Sequence, residues 1–133
     1  MKHTLVTVIS VFSCASLLSL GMSSRAQADC TEASLKGTFA FSCTGTGGGV
    51  PIAAVGLLTF DGKGQVAGRY TFSDNGAITR GAAVTGTYTV NADCTASTAF
   101  SDSSHYDIAL FKKGFFSIET DTGTVVTCHK EKQ

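Results

Sequence analysis

Residues 56–94, GLLTFDGKGQVAGRYTFSDNGAITRGAAVTGTYTVNADC, leave few folds open. They read as three consecutive antiparallel strands, each closed by a short turn rich in Asp, Asn and Gly. Within them Gly68-Arg69-Tyr70-Thr71-Phe72 is echoed by Gly86-Thr87-Tyr88-Thr89-Val90, and Gly37-Thr38-Phe39-Ala40-Phe41 has the same form. Side chains alternate along a strand, so a glycine and an aromatic two places on share a face. The missing side chain lets the sheet bend sharply, and the aromatic covers the gap.

The amino-terminal region has a different character. After Lys2 and His3, residues 4–22 form a mostly apolar run without charge, and Ala26-Gln27-Ala28 supplies a small-x-small cleavage pattern. A secretory signal peptide over residues 1–28 is expected, cut before Asp29. Ser, Thr and Cys dilute the run, which argues against a retained anchor, and Cys14 comes too early for a lipid-bearing cysteine. The remainder, 29–133, reads as one exported domain, periplasmic or extracellular, with no segment long enough for a transmembrane helix. It keeps eight basic against ten acidic residues and no basic stripe. That excludes nucleic acid, whose phosphates need clustered Lys and Arg, and no membrane contact is expected once the signal is removed.

Four cysteines stay in this domain, Cys30, Cys43, Cys94 and Cys128. An even count in a small exported domain reads as two disulfides. Zinc is the alternative, but there is no C-x-x-C pair and the spacings of 13, 51 and 34 residues fit no finger. Two other ligand motifs fail. The glycines at 45–49 lack the Gly-Lys-Ser/Thr of a phosphate loop, and Asp61-Gly62-Lys63-Gly64 lacks the alternating acids of a calcium loop. No metal and no cofactor is expected.

Strands are expected at 35–43, 52–60, 65–73, 77–90, 94–101, 105–111, 115–120 and 124–130, with a flexible glycine-rich connection at 44–49. Helical spacing appears nowhere after residue 28. The strand at 52–60 is apolar on both faces and must be covered on both, by a lid, a terminus or a second copy of the chain. The strand at 77–90 is long enough to need a bulge near Gly81-Ala82. The fold class is therefore all-β, an eight-stranded antiparallel up-and-down barrel of calycin type; a β-sandwich is the second choice. In such a barrel Cys43 and Cys94 lie at opposite ends, and Cys30 cannot double back to Cys43 along one extended strand. Cys30–Cys94 and Cys43–Cys128 remain, the second across the closing seam.

The runs GLLTFDGKGQVAGRYTF and GTYTVNADCT resemble small exported bacterial proteins of the allene oxide cyclase-like barrel group, within the wider lipocalin-like class. The resemblance covers roughly residues 35–95 and implies a secreted barrel. It brings no catalytic motif, and cyclase activity does not follow from a shared barrel.

An eight-stranded barrel holds either packed side chains or one small ligand. Tyr70, Tyr88 and Tyr106 fall on the inward face, either as core filling or as walls of a cavity. Arg80 joins them if the bulge lies after it. These four are the candidate ligand-binding residues. A binding module for a small apolar or amphipathic molecule is the leading expectation. The alternatives are an isomerase or cyclase using the same cavity, and a structural protein pairing as a homodimer through 52–60. His105 and Asp107 share a face that reads as outward, with no nucleophile fixed beside them, so no catalytic residue is assigned and an enzyme is not the favoured reading. His129 reads as exposed, and Lys112-Lys113 as an edge-protecting turn.

Overall fold

Alternation sets the strands. The computed structural model describes residues 29–133, so the expected signal segment lies outside the described residues. Eight antiparallel strands run in chain order: β1 (Gly37–Gly47), β2 (Val50–Phe60), β3 (Gln65–Asp74), β4 (Ala77–Val90), β5 (Thr95–Phe100), β6 (His105–Phe111), β7 (Gly114–Glu119) and β8 (Thr124–Lys132). Each pairs with the next, and β1 pairs with β8 from Phe39↔Lys132 to Gly47↔Thr124. The sheet is thus a closed up-and-down barrel. Closure leaves no exposed sheet edge.

The first hairpin departs from the expected boundaries. Residues 44–47 are strand rather than flexible connection, and β2 begins at Val50. Only Gly48 and Gly49 turn the chain, with φ of 57° and 84°. Two left-handed residues make the tight turn whose twist matches a hairpin. Gly45 stays in the ladder because it packs against β8: a Cβ there would collide with the Val125 carbonyl. Glycine content there reflects close approach, not flexibility.

The lead-in also differs. The first strand starts at Gly37, not residue 35, and Glu32–Leu35 form one 3₁₀ turn. The Thr31 N–H donates to Ser34 Oγ (3.0 Å) and the Ser34 N–H to the Thr31 carbonyl (2.8 Å). Four residues are too few to display a helical period, so the pattern was silent about it.

That turn plugs one end of the barrel. Leu35 is buried beneath Phe39, Phe60, Tyr88 and Phe115. Phe60 meets Phe39, Tyr88 and Phe115 edge to face, at 5.5, 5.0 and 5.6 Å between ring centroids. This arrangement sets ring edges against ring faces and adds to the area buried. The Tyr88 hydroxyl donates to the Glu32 carbonyl (3.0 Å). Cys30–Cys94, with α-carbons 5.0 Å apart, fastens the plug to the β4–β5 turn. Cys43–Cys128 bridges directly paired residues of β1 and β8, with α-carbons 4.1 Å apart. Both pairings are those the topology requires.

The turns are set by side-chain acceptors. Asp61 Oδ1 accepts from the Lys63 and Gln65 N–H groups (2.7 and 3.0 Å), which hold its carboxyl below the ordinary carboxylate range. At the β4–β5 and β5–β6 turns Asp93 Oδ1 and Asp102 Oδ1 likewise accept from the Thr95 and Ser104 N–H groups. These are the Asx turns that Asp and Asn favour.

Candidate functional site

Above the aromatic plug the barrel is not full. A cavity of about 320 Å³ opens at the end formed by the β5–β6 and β7–β8 turns. This lies at the small end of the roughly 300–1,000 Å³ usual for small-molecule sites. Its wall is mostly apolar, with Phe41, Ile52, Leu58, Val84, Phe100 and Val126 among the lining residues, and the Cys43–Cys128 bridge is part of it. A small inward residue helps make the room: Ala54 faces the cavity from β2.

Three polar groups converge on this space. At the mouth, the Tyr70 hydroxyl donates to Asp102 Oδ2 and the Tyr106 hydroxyl to Glu119 Oε2, both at 3.2 Å. Burial, then the Asp102 and Glu119 carboxylates respectively, raise both phenols above their ordinary range. Burial chiefly, with Asp121 and Asp102 adding negative charge nearby, pushes the Glu119 carboxyl up. The third group is Lys130, at the floor. Its register partners are Phe41 on β1 and Phe115 on β7, which puts it in the layer above the plug.

Lys130 is only 4% exposed. Its Nζ sits 2.6 Å from Ser117 Oγ and lies over the rings of Phe115, Tyr106 and Phe41, 4.8, 5.4 and 5.9 Å from their centroids. No salt bridge among the described residues involves it. Taking an ammonium out of water without a carboxylate beside it disfavours the charged form. Burial accordingly lowers the Lys130 amine from 10.5 to about 7. A lysine surrounded by rings in this way is half neutral near neutral pH.

The expected site residues divide. Tyr70 and Tyr106 line the cavity. Tyr88 belongs to the plug and lies outside the cavity wall, although it is inward. Arg80 is exposed and takes no part. Its inward placement required a bulge after it, whereas the bulge is at Arg80-Gly81 itself. Tyr70 pairs with Ala82 and Phe72 with Thr79, which leaves those two residues opposite Thr71, and Gly81 takes a φ of 67°.

Lys130, Ser117, Glu119 and Asp102 were absent from that set. The signal for Lys130 was present: it stands two residues after Cys128, whose bridge to Cys43 fixes that face inward. A charged residue near a strand end reads as solvated, and parity was the better guide.

On the outside, His105 pairs with Asp121 rather than sharing work with Asp107. Its Nδ1 lies 2.8 Å from Asp121 Oδ1, and its N–H donates to Oδ2 at 2.7 Å. These bonds hold Asp121 below the ordinary carboxylate range. The pair is exposed at a strand start and serves the β7–β8 turn. His129 stacks on Phe116, with ring centroids 5.0 Å apart, on the outer surface. Among the described residues no three His, Cys, Asp or Glu side chains cluster as metal ligands, and no helix is long and apolar enough to cross a membrane.

Compared with protein-family models, curated proteins and solved structures, the chain matches none. Two disulfides suit an oxidising compartment rather than the cytosol.

Proposed function

We propose that this protein is an exported binding module that takes a small amphipathic molecule into the open end of its barrel. The reading includes export through residues 1–28 to the periplasm or beyond, and kinship with the allene oxide cyclase-like, lipocalin-like barrels. One observation carries it: the barrel packs solid around Phe60 at one end and leaves an apolar cavity of about 320 Å³ at the other. A barrel built only for stability has no use for that space, since unfilled volume costs stability. The apolar wall would hold the body of the ligand, and the polar groups would orient its other end.

Binding of 1-hexanol, followed by NMR shifts of the Phe41 and Tyr106 rings, tests this. Ala54→Phe fills the cavity and should abolish those shifts while the fold persists. Tyr70→Phe and Tyr106→Phe each remove one orienting hydroxyl and should weaken binding roughly fivefold, the equivalent of about 1 kcal/mol. Tyr88→Phe breaks the bond to the Glu32 carbonyl and the contacts of the phenol with the Gly64 and Gly62 backbone, all outside the cavity wall. It should leave binding intact and lower stability by about 1 kcal/mol. Undisturbed hexanol binding in Ala54→Phe would refute the assignment.

A second reading concerns the outer surface, where Val55 and Leu57 are 58% and 47% exposed on β2. They are the outward half of the doubly apolar strand, and in this reading a second copy of the chain covers them. Sedimentation velocity at rising concentration should then show a dimer that Leu57→Arg abolishes. A monomer throughout would end this reading without touching the first.

A further inference from the structure

Resting on the binding reading, we infer that Lys130 makes the cavity a capture site for small apolar aldehydes, which it holds as an imine. Lys130 is the only amine among the lining residues, and it sits at the floor, where a molecule threading in from the open end brings its leading atom. Three aromatic rings and Ser117 Oγ surround Nζ, and the two carboxyl groups that line the cavity, Asp102 and Glu119, are at the mouth, each bonded to a tyrosine hydroxyl.

Charge then selects the class of ligand. An anionic molecule would have to pass Asp102 and Glu119, which repel it. A cationic molecule would be held by the same two carboxylates at the mouth, away from the floor. A neutral apolar molecule meets neither obstacle, and its carbonyl reaches a nitrogen that burial keeps substantially unprotonated at neutral pH. An unprotonated amine in an apolar pocket is the form that attacks a carbonyl carbon.

The chemistry balances without any redox partner. The Nζ electron pair forms a bond to the carbonyl carbon, and one nitrogen proton moves to the carbonyl oxygen, giving a carbinolamine. Loss of that hydroxyl with the second nitrogen proton releases one water and leaves a C=N bond. The water departs through the open end. Ser117 Oγ, 2.6 Å from Nζ, fixes the direction of the nitrogen beforehand.

The test uses hexanal as probe with sodium cyanoborohydride to trap the imine, read by intact mass and peptide mapping. Hexanol, which has the same chain length and no carbonyl, is titrated in parallel. We expect one dominant adduct, mapped to Lys130 and exceeding that on any of the exposed Lys36, Lys63, Lys112, Lys113 and Lys132 by roughly tenfold at neutral pH. Excess hexanol should suppress it, and its rate should reach half its maximum near pH 7, where the Lys130 amine titrates. If hexanol shifts the cavity resonances while adducts fall only on exposed lysines, the aldehyde proposal is overturned and the binding reading stands. If hexanoate binds more tightly than hexanol and Lys130 takes no adduct, the floor pairs with anions instead, which also overturns it. If neither hexanol nor hexanal perturbs the cavity, the binding reading itself has failed.

Discussion

Lys130→Met should make the protein more stable at and below neutral pH, and should remove most of the stability that the native protein gains on going from about pH 7 to pH 10. Burial lowers the folded amine from 10.5 to about 7, whereas the unfolded chain regains an ordinary lysine. Between those values the unfolded state binds a proton that the folded state does not, so stability rises with pH. Below about pH 7 both states are protonated, and the whole penalty of burying the charge is present.

The gap between 10.5 and about 7 corresponds to a ceiling of about 5 kcal/mol. Methionine keeps the volume and contacts of the lysine stem but leaves Ser117 Oγ without its partner, which returns about 1–2 kcal/mol. A net gain of about 3 kcal/mol below pH 7 is therefore expected from urea unfolding. Tyr70, Tyr88 and Tyr106 carry raised phenols and weaken the fold above pH 10, but equally in both proteins. The difference between the two curves isolates the lysine. Parallel curves would mean that Nζ finds water or a counter-charge in solution.

The second large effect belongs to the seam. Replacing Cys43 and Cys128 together by Ala removes a bridge spanning 85 residues. Freeing a loop of that length in the unfolded chain is worth up to roughly 4–5 kcal/mol on the chain-entropy account, and native bridges in small secreted domains typically contribute 2–5. A loss of about 3 kcal/mol should lower Tm by roughly 12–24 °C. The nine residue pairs of the β1–β8 ladder remain, so the variant should still fold, with the earliest amide exchange along β1 and β8. An unchanged Tm would show that those strands are held by the ladder alone.

How much of this was legible in the sequence follows from what each signal encodes. The period-two alternation and the Asp-Gly turns carried the barrel, because parity and turn chemistry act locally. The disulfides followed, since strand direction decides which cysteines share an end. Arg80 was misplaced by one residue of bulge, and Gly81 alone could not say on which side of itself the register slips. The glycine at 45 looked like a loop because composition does not distinguish a flexible glycine from one that admits a neighbouring backbone. Whether the barrel was full depended on summed volumes around Ala54, which no single stretch reports. Lys130 was readable by counting from Cys128, but its charge argued for solvent, and the charge is what the fold suppresses.

The most direct test is an NMR titration of the Lys130 side chain through its ¹³Cε and ¹⁵Nζ shifts, assigned by their absence in Lys130→Met. A cavity floor as dry as described predicts a midpoint near 7, against 10.5 for a solvated lysine. A midpoint near 10.5 would mean that water or an unseen anion reaches Nζ, and would contradict the account of the site.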